Sequence, residues 1–233
     1  MTISKNYQKH HDSVDYQHVY NVSNEFLAIS HSINGFPFKV KKFIQEQSDI
    51  KLCSFIKTFQ YGVDVKSLGS ESAIIIEQSG KCIIFCNQAE PKYRVRFSIM
   101  HEFGHYILGH ISDLPKTDPL YQRQELEANY FAAQILMPEQ ILRECIKREK
   151  RLTTNFIQKS FDVSKEAAEK RIQTLRKSWN SIKDQNFDDV ILLKYEDFVN
   201  QVAPKNFSRY DDFEHELEVQ TKQDSWSFFR NGR

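Results

Sequence analysis

The run His101-Glu102-Phe103-Gly104-His105 constrains this chain of 233 residues more than any other stretch. On a helix, at about 100° per residue, His101 and His105 stand one turn apart on one face, so their imidazole nitrogens can converge on a single metal ion. Glu102 falls beside that face. It is too far round to join the ligands and well placed to take a proton from a water that the metal activates. Phe97, Met100, Gly104, Ile107, Leu108 and Ile111 recur at helical spacing, which places the motif on a partly buried amphipathic helix and not in a polar loop. Gly104 costs about 1 kcal/mol relative to alanine inside a helix, which implies that another part of the chain passes close to its backbone.

A catalytic zinc takes three protein ligands and keeps one position open, so a third ligand must come from elsewhere. His110 lies about half a turn out of phase with His101 if the helix continues, and it then points away from the ion. The metzincin route, which breaks the helix and returns a third histidine, needs a glycine at position 108 and a histidine at 111; Leu108 and Ile111 stand there. His110 therefore reads as a residue at the helix end near the negative pole of the dipole, with a contact to a ligand or substrate as the lesser option. The run Glu125 to Pro138 predicts a second helix, ended by the proline. Glu125 shares a face with Ala128, Asn129, Ala132 and Ala133, small enough to let this helix approach the histidine helix. Glu127 shares a bulkier face with Tyr130, Phe131 and Gln134. Glu125 is thus the expected third ligand, and Asn129, one turn on, is placed to hydrogen-bond and orient it.

The stretch Arg94 to Met100 leading into the histidine motif, followed by Glu125 to Pro138, resembles the ImmA/IrrE family of metallo-endopeptidases, related to the gluzincins, over roughly Gly35 to Pro138. The resemblance implies an α+β, zincin-like peptidase domain with a small antiparallel sheet and an active-site helix. It places the third ligand on Glu125, in an E-x-x-x-N pattern with Asn129, and the water-activating carboxylate on Glu102. It also implies zinc as cofactor and a regulatory protein as substrate, typically a helix-turn-helix repressor of a mobile element or a stress response. Two alternatives use the same fold without that chemistry: a protein that captures a repressor uncut, and a component of a toxin-antitoxin or phage-immunity system. An adjacent gene encoding a repressor would discriminate among them.

A hydrophobic fraction of 40% suffices for a packed core, and no apolar run is long enough to span a bilayer. The first twenty residues lack a signal-peptide core, which makes the cytoplasm the expected location. Cys53, Cys82, Cys86 and Cys145 read as buried free thiols. Tyr16 to Ser32 predicts an amphipathic helix, and Val40 to Phe59 a helix running into a turn. Ser72 to Glu77 and Lys81 to Asn87, split by Gln78-Ser79-Gly80, predict a hairpin whose edge could receive a substrate strand or could be core alone.

These features divide the chain into a helical extension (1–34), the peptidase domain (35–138), a basic helical module (139–183) and an acidic segment (184–233). From Arg143 to Lys183 there are twelve Lys or Arg against five Asp or Glu. Within it, Leu152 to Ser160, a turn at Phe161-Asp162-Val163 and a helix capped by Ser164 predict a helix-turn-helix. Lys165, Lys170 and Arg171 could approach DNA phosphates, although packing or repressor docking is the preferred reading, so nucleic acid is not expected as the primary partner. From Asp184 onward eleven acidic residues face six basic ones. Val190 to Tyr195 predicts a strand, and Tyr210 to Val219 a short charged segment. Oligomeric state is open. Tyr106, His110, Tyr121 and Tyr130 are candidates for stabilising an oxyanion, and Arg94 and Arg96 for bracing the start of the histidine helix.

Overall fold

The computed structural model describes residues 13–47, 49–64, 72–78, 80–110, 114–178 and 187–205. Ile111, the segment Tyr210 to Val219 and the first twelve residues lie outside the described residues. Helix α1 (Tyr16–Ile29) starts at Asp15, whose side chain accepts the N–H of His18 at 3.0 Å. Helix α2 (Val40–Glu46) leads into strand β1 (Ile50–Ser54) and a 3-10 helix (Phe55–Tyr61). Strands β2 (Ala73–Gln78) and β3 (Lys81–Cys86) form the predicted hairpin. Helix α3 (Lys92–Ile107), which carries the histidine motif, follows Pro91. Helix α4 (Pro119–Leu136) starts at Asp118, with proline at its first position, and stops just before Pro138 as expected.

The chain is a helix-rich α+β fold with one three-stranded sheet in the order β1-β3-β2. The expected purely antiparallel sheet needs correction. β1 pairs parallel to β3, with Ile50 opposite Cys82 and Ser54 opposite Cys86, so the sheet is mixed. The segment Val40 to Phe59, expected to hold a helix running into a turn, starts with that helix, α2, but then adds β1 and the 3-10 helix. Its five-residue strand is short and apolar, and hydrophobic pattern alone does not separate such a strand from a helix. β1 and β2 are the edge strands, and β2 lies against α3.

Beyond Pro138 come α5 (Glu139–Lys147), α6 (Thr154–Phe161) and α7 (Lys165–Ser178). The turn between α6 and α7 follows the sequence: Asp162 ends α6 in the left-handed conformation at φ 52°, and the Ser164 hydroxyl accepts the N–H of Ala167 at 3.0 Å. These helices are not hung on the outside. Ile141, Leu142, Cys145, Ile157, Phe161, Ala168 and Leu175 join the same hydrophobic cluster as Phe26, Phe43, Met100, Phe103 and Phe131. Four of its phenylalanines, Phe26, Phe43, Phe103 and Phe131, meet edge to face or tilted, with centroids 5.3–6.2 Å apart.

Within the acidic segment, residues 187–205 also contribute to the core, through α8 (Asp188–Lys194) and α9 (Glu196–Val202). The strand expected at Val190 to Tyr195 is a helix. A strand would put 191, 193 and 195 on one face, yet Ile191 and Tyr195 are buried while Leu193 is 76% exposed, which is helical periodicity. Lys194 then donates to the carbonyls of Leu27, Ala28 and Ser30 at 2.6–3.2 Å, satisfying the acceptors left open at the end of α1. Among the described residues no helix is long and apolar enough to cross a membrane. None of the four cysteines is in a disulfide; Cys53, Cys86 and Cys145 are buried and Cys82 is half-buried.

Candidate metal centre

Helices α3 and α4 pack closely because of what faces what. A Cβ on Gly104 would meet the Phe131 ring at 3.0 Å and its Cβ at 3.3 Å, so α4 seats an aromatic side chain directly on α3 backbone. The close approach implied by Gly104 is therefore real, and its partner is Phe131, from the face expected to be too bulky. Ala128 and Ala132 of α4 are buried as well.

That packing brings Glu125 over the two histidines. Its Oε2 lies 3.4 Å from Nε2 of His101 and its Oε1 3.3 Å from Nε2 of His105, while the two imidazole nitrogens are 3.0 Å apart. A tetrahedral zinc with ligand bonds of about 2.0–2.1 Å separates its donors by about 3.3–3.4 Å. Two imidazole nitrogens and a carboxylate at these spacings therefore fit a metal ion, and among the described residues this is the group of His, Cys, Asp and Glu that does.

The electrostatics favour the binding forms of Glu125 and His105. Hydrogen bonds from His101 and His105 hold the Glu125 carboxyl far below the usual carboxylate range, against the opposing effect of burial. Burial lowers the pKa of His105, partly offset by the hydrogen bond to Glu125. A neutral imidazole beside an ionised carboxylate is what a cation requires. Glu102 behaves differently. Burial pushes its carboxyl up to about 7, and the nearby Glu125 adds to this, while His101 and the backbone N–H of Ile75 pull it down. That N–H, on edge strand β2, reaches Oε2 of Glu102 at 3.1 Å.

Asn129 does not hold the Glu125 carboxylate. Its amide donates to the backbone carbonyl of Glu125 at 2.7 Å, one turn back on its own helix, and the side chain is exposed. His110 is more than a helix-end residue, because α3 does not continue to it. Gly109 takes φ 67°, and the N–H groups of Gly109 and His110 return to the carbonyls of Tyr106 and His105, a turn that folds the His110 ring back toward His105. Nδ1 of His110 lies 2.9 Å from Nδ1 of His105, and Nε2 lies 3.1 Å from Oε2 of Glu127. Oε1 of Glu127 accepts the backbone N–H of Asp15 at 3.1 Å. Burial would raise the Glu127 carboxyl, but the hydrogen bonds from His110 and Asp15 outweigh it and keep the group low. The glycine after the helix was the available signal for this turn; nothing local in the sequence marks Ile75 or Asp15.

Of the other residues singled out, Tyr121 faces the centre: burial raises its pKa first, followed by the charge of Glu125, a hydrogen bond to it and the charge of Glu102. Tyr130 turns away, buried with its hydroxyl 3.4 Å from Glu139. Tyr106 sits near Cys82, Asp49 and Glu77. Arg94 pairs with Glu90 at 3.1 Å, and Arg96 donates to the carbonyls of Phe38 at 2.7 Å and Phe161 at 3.4 Å, so both brace the surroundings of α3. Arg171 is a correction. It is 1% exposed and donates to the Met137 carbonyl at 2.9 Å and to the Gln134 side chain, so it faces the core and no phosphate reaches it.

Residues 61–173 match the model of a peptidase family described as the IrrE N-terminal-like domain, which bears out the resemblance to the ImmA/IrrE family. The match begins at Tyr61, later than Gly35, and runs past Pro138 into α7. No curated protein matches the chain.

Proposed function

We propose that this chain is a zinc-dependent endopeptidase that cuts a regulatory protein, with a helix-turn-helix repressor of a mobile element or stress response as the substrate class. The observation that supports it best is the triangle of His101, His105 and Glu125 with Glu102 beside it. Two imidazoles and one carboxylate make a three-donor set of the catalytic kind, whereas structural zinc sites take four protein ligands. Zinc held there would supply Lewis acidity toward the scissile carbonyl and toward water. Glu102, buried beside the metal position, takes the proton of the attacking water and passes it to the leaving amine. Tyr121 is the hydroxyl placed to donate to the developing oxyanion.

The edge strand β2 supplies the substrate groove. In its antiparallel pairing the N–H and C=O groups of alternate residues point away from β3, and Ile75, whose N–H reaches Glu102, belongs to that outward set with Ala73 and Glu77. An extended peptide adding to this edge would lie along α3 with its backbone beside the catalytic carboxylate. The repressor as substrate rests on the family resemblance. DNA as primary partner is disfavoured, since Arg171 is buried and the exposed Lys170 and Lys165 lie 2.8 and 3.8 Å from Glu166 and Glu169 on their own helix.

The test is Glu102→Gln, assayed with a repressor encoded beside this chain's gene. Zinc and repressor binding should persist while cleavage falls by several orders of magnitude. Cleavage by the variant at near wild-type rate refutes the mechanism. No cleavage by either protein, with tight binding by both, points instead to capture.

A further inference from the structure

We infer that His110 and Glu127 form a positioning pair for His105, fixing which nitrogen of that ring is bare, and that α1 is docked onto this pair through Asp15. The inference rests on the metal reading of the site and adds to it a residue from a turn, a carboxylate passed over as a ligand, and a helix from the other end of the described chain.

The protons can be placed in one order. His105 presents Nε2 toward His101 and Glu125, so a metal there takes its lone pair and the ring proton must sit on Nδ1. The atom facing that Nδ1 is a nitrogen as well, Nδ1 of His110 at 2.9 Å. Two N–H groups cannot point at each other, so His110 accepts there and carries its own proton on Nε2. That N–H points at Oε2 of Glu127, 3.1 Å away. Every group in the row is used: Glu127 accepts from His110, His110 accepts from His105, and His105 offers Nε2 to the metal. The far oxygen of Glu127 is taken by the N–H of Asp15, with Arg123 Nε at 3.8 Å. Asp15 also caps α1, so the start of that helix and the orientation of Glu127 are set together.

An imidazole whose second nitrogen donates toward a carboxylate is a stronger and better-oriented ligand, and partners of this kind are commonly worth about 10- to 100-fold in metal affinity. Here a second imidazole is interposed between the ligand and the carboxylate. Both His110 and Glu127 are well shielded from solvent, which keeps water from replacing either contact.

The experiment uses the full chain and two readouts besides activity: zinc affinity by competition with a chromophoric chelator, and the ring tautomers by imidazole nitrogen NMR of the zinc-loaded protein. His110→Ala and Glu127→Ala should each weaken zinc binding by about 10- to 100-fold. His110→Gln should recover most of the loss, because its amide can accept from His105 and donate to Glu127. In the wild type, His110 should carry its proton on Nε2. This measurement holds even if an alanine variant fails to fold. The inference is overturned if folded His110→Ala binds zinc as the wild type does, if glutamine is no better than alanine, or if His110 is protonated on Nδ1 alone. A wild type that takes up no zinc, like a His101→Ala control, overturns the metal reading and this inference with it.

Discussion

Replacing Glu102 by glutamine should do more than stop catalysis; it should stabilise the metal-free protein, and only above a definite pH. Burial raises the Glu102 carboxyl from its ordinary 4.5 to about 7 in the folded chain. At about 1.4 kcal/mol per decade, ionised Glu102 then costs the folded state about 3 kcal/mol relative to the unfolded chain. Between about pH 4.5 and 7 the folded protein holds a proton that the unfolded chain has released, so the contribution of Glu102 to stability falls as pH rises and is fully unfavourable above 7. Glutamine has nearly the same shape, keeps an oxygen for the Ile75 N–H and carries no charge at any pH. With a chelator present, denaturant unfolding of the two proteins should give equal stabilities near pH 4.5 and a variant more stable by up to about 3 kcal/mol at pH 8. A difference that does not change with pH would mean that Glu102 is not held in a dry, negative environment, and the proton-handling role built on that environment would lose its support.

His101→Ala, His105→Ala and Glu125→Ala should each abolish stoichiometric zinc by metal analysis, whereas Glu127→Ala should only weaken it; retention of zinc by Glu125→Ala with loss in Glu127→Ala would reverse the ligand assignment. Gly104→Ala should push Phe131 away by a few tenths of an ångström, at a cost of about 1–3 kcal/mol for overpacking less the roughly 1 kcal/mol that alanine returns as a helix former. It should weaken metal binding as α4 moves, which chelator competition and a thermal melt would report. Arg171→Ala should destabilise the fold by at least about 2 kcal/mol, because it strips charged donors from the buried Met137 carbonyl and Gln134, while Lys165→Ala and Lys170→Ala should change stability by less than about 0.5 kcal/mol. Duplex DNA binding by anisotropy should be weak at low salt and absent near physiological ionic strength.

What could be read from the sequence, and what could not, divides along chain distance. The α3 and α4 helices, the capped turn between α6 and α7 and the β2–β3 hairpin are each written by residues within a few positions of one another, such as Asp118 with Pro119 or Asp162 with Ser164. The parallel partner of β3 is not: β1 owes its extended form to Ile50 and Cys53 finding the sheet about thirty residues away, and no local pattern announces that. Arg171 misleads for the same reason. It stands in a basic run and on a helix like those that meet DNA, and only the folded chain reveals a carbonyl and an amide waiting for it in the core. The acidic segment gave a similar false cue, since its charge concealed Ile191, Tyr195, Phe198 and Val199 at core spacing.

The centre itself shows why a short motif can reveal a site without describing it. The spacing of His101 and His105 puts two ligands on one helix face with Glu102 beside it, which five residues can encode. Everything that tunes those three groups is supplied from afar: the carboxylate from α4, the N–H that meets Glu102 from an edge strand, and the row His110–Glu127–Asp15 from a turn, a second helix and the start of α1. Gly104 is where the two scales meet. A residue with no side chain in the middle of the motif is locally a weakness, and it is tolerated because Phe131 fills the space and draws α4 within reach of the histidines. Close packing of α3 on α4 is thus a condition for the third ligand as well as a source of stability, so substitutions that loosen the core at Phe103, Phe131 or Ala132 should lower metal affinity in proportion to how far they let Glu125 retreat.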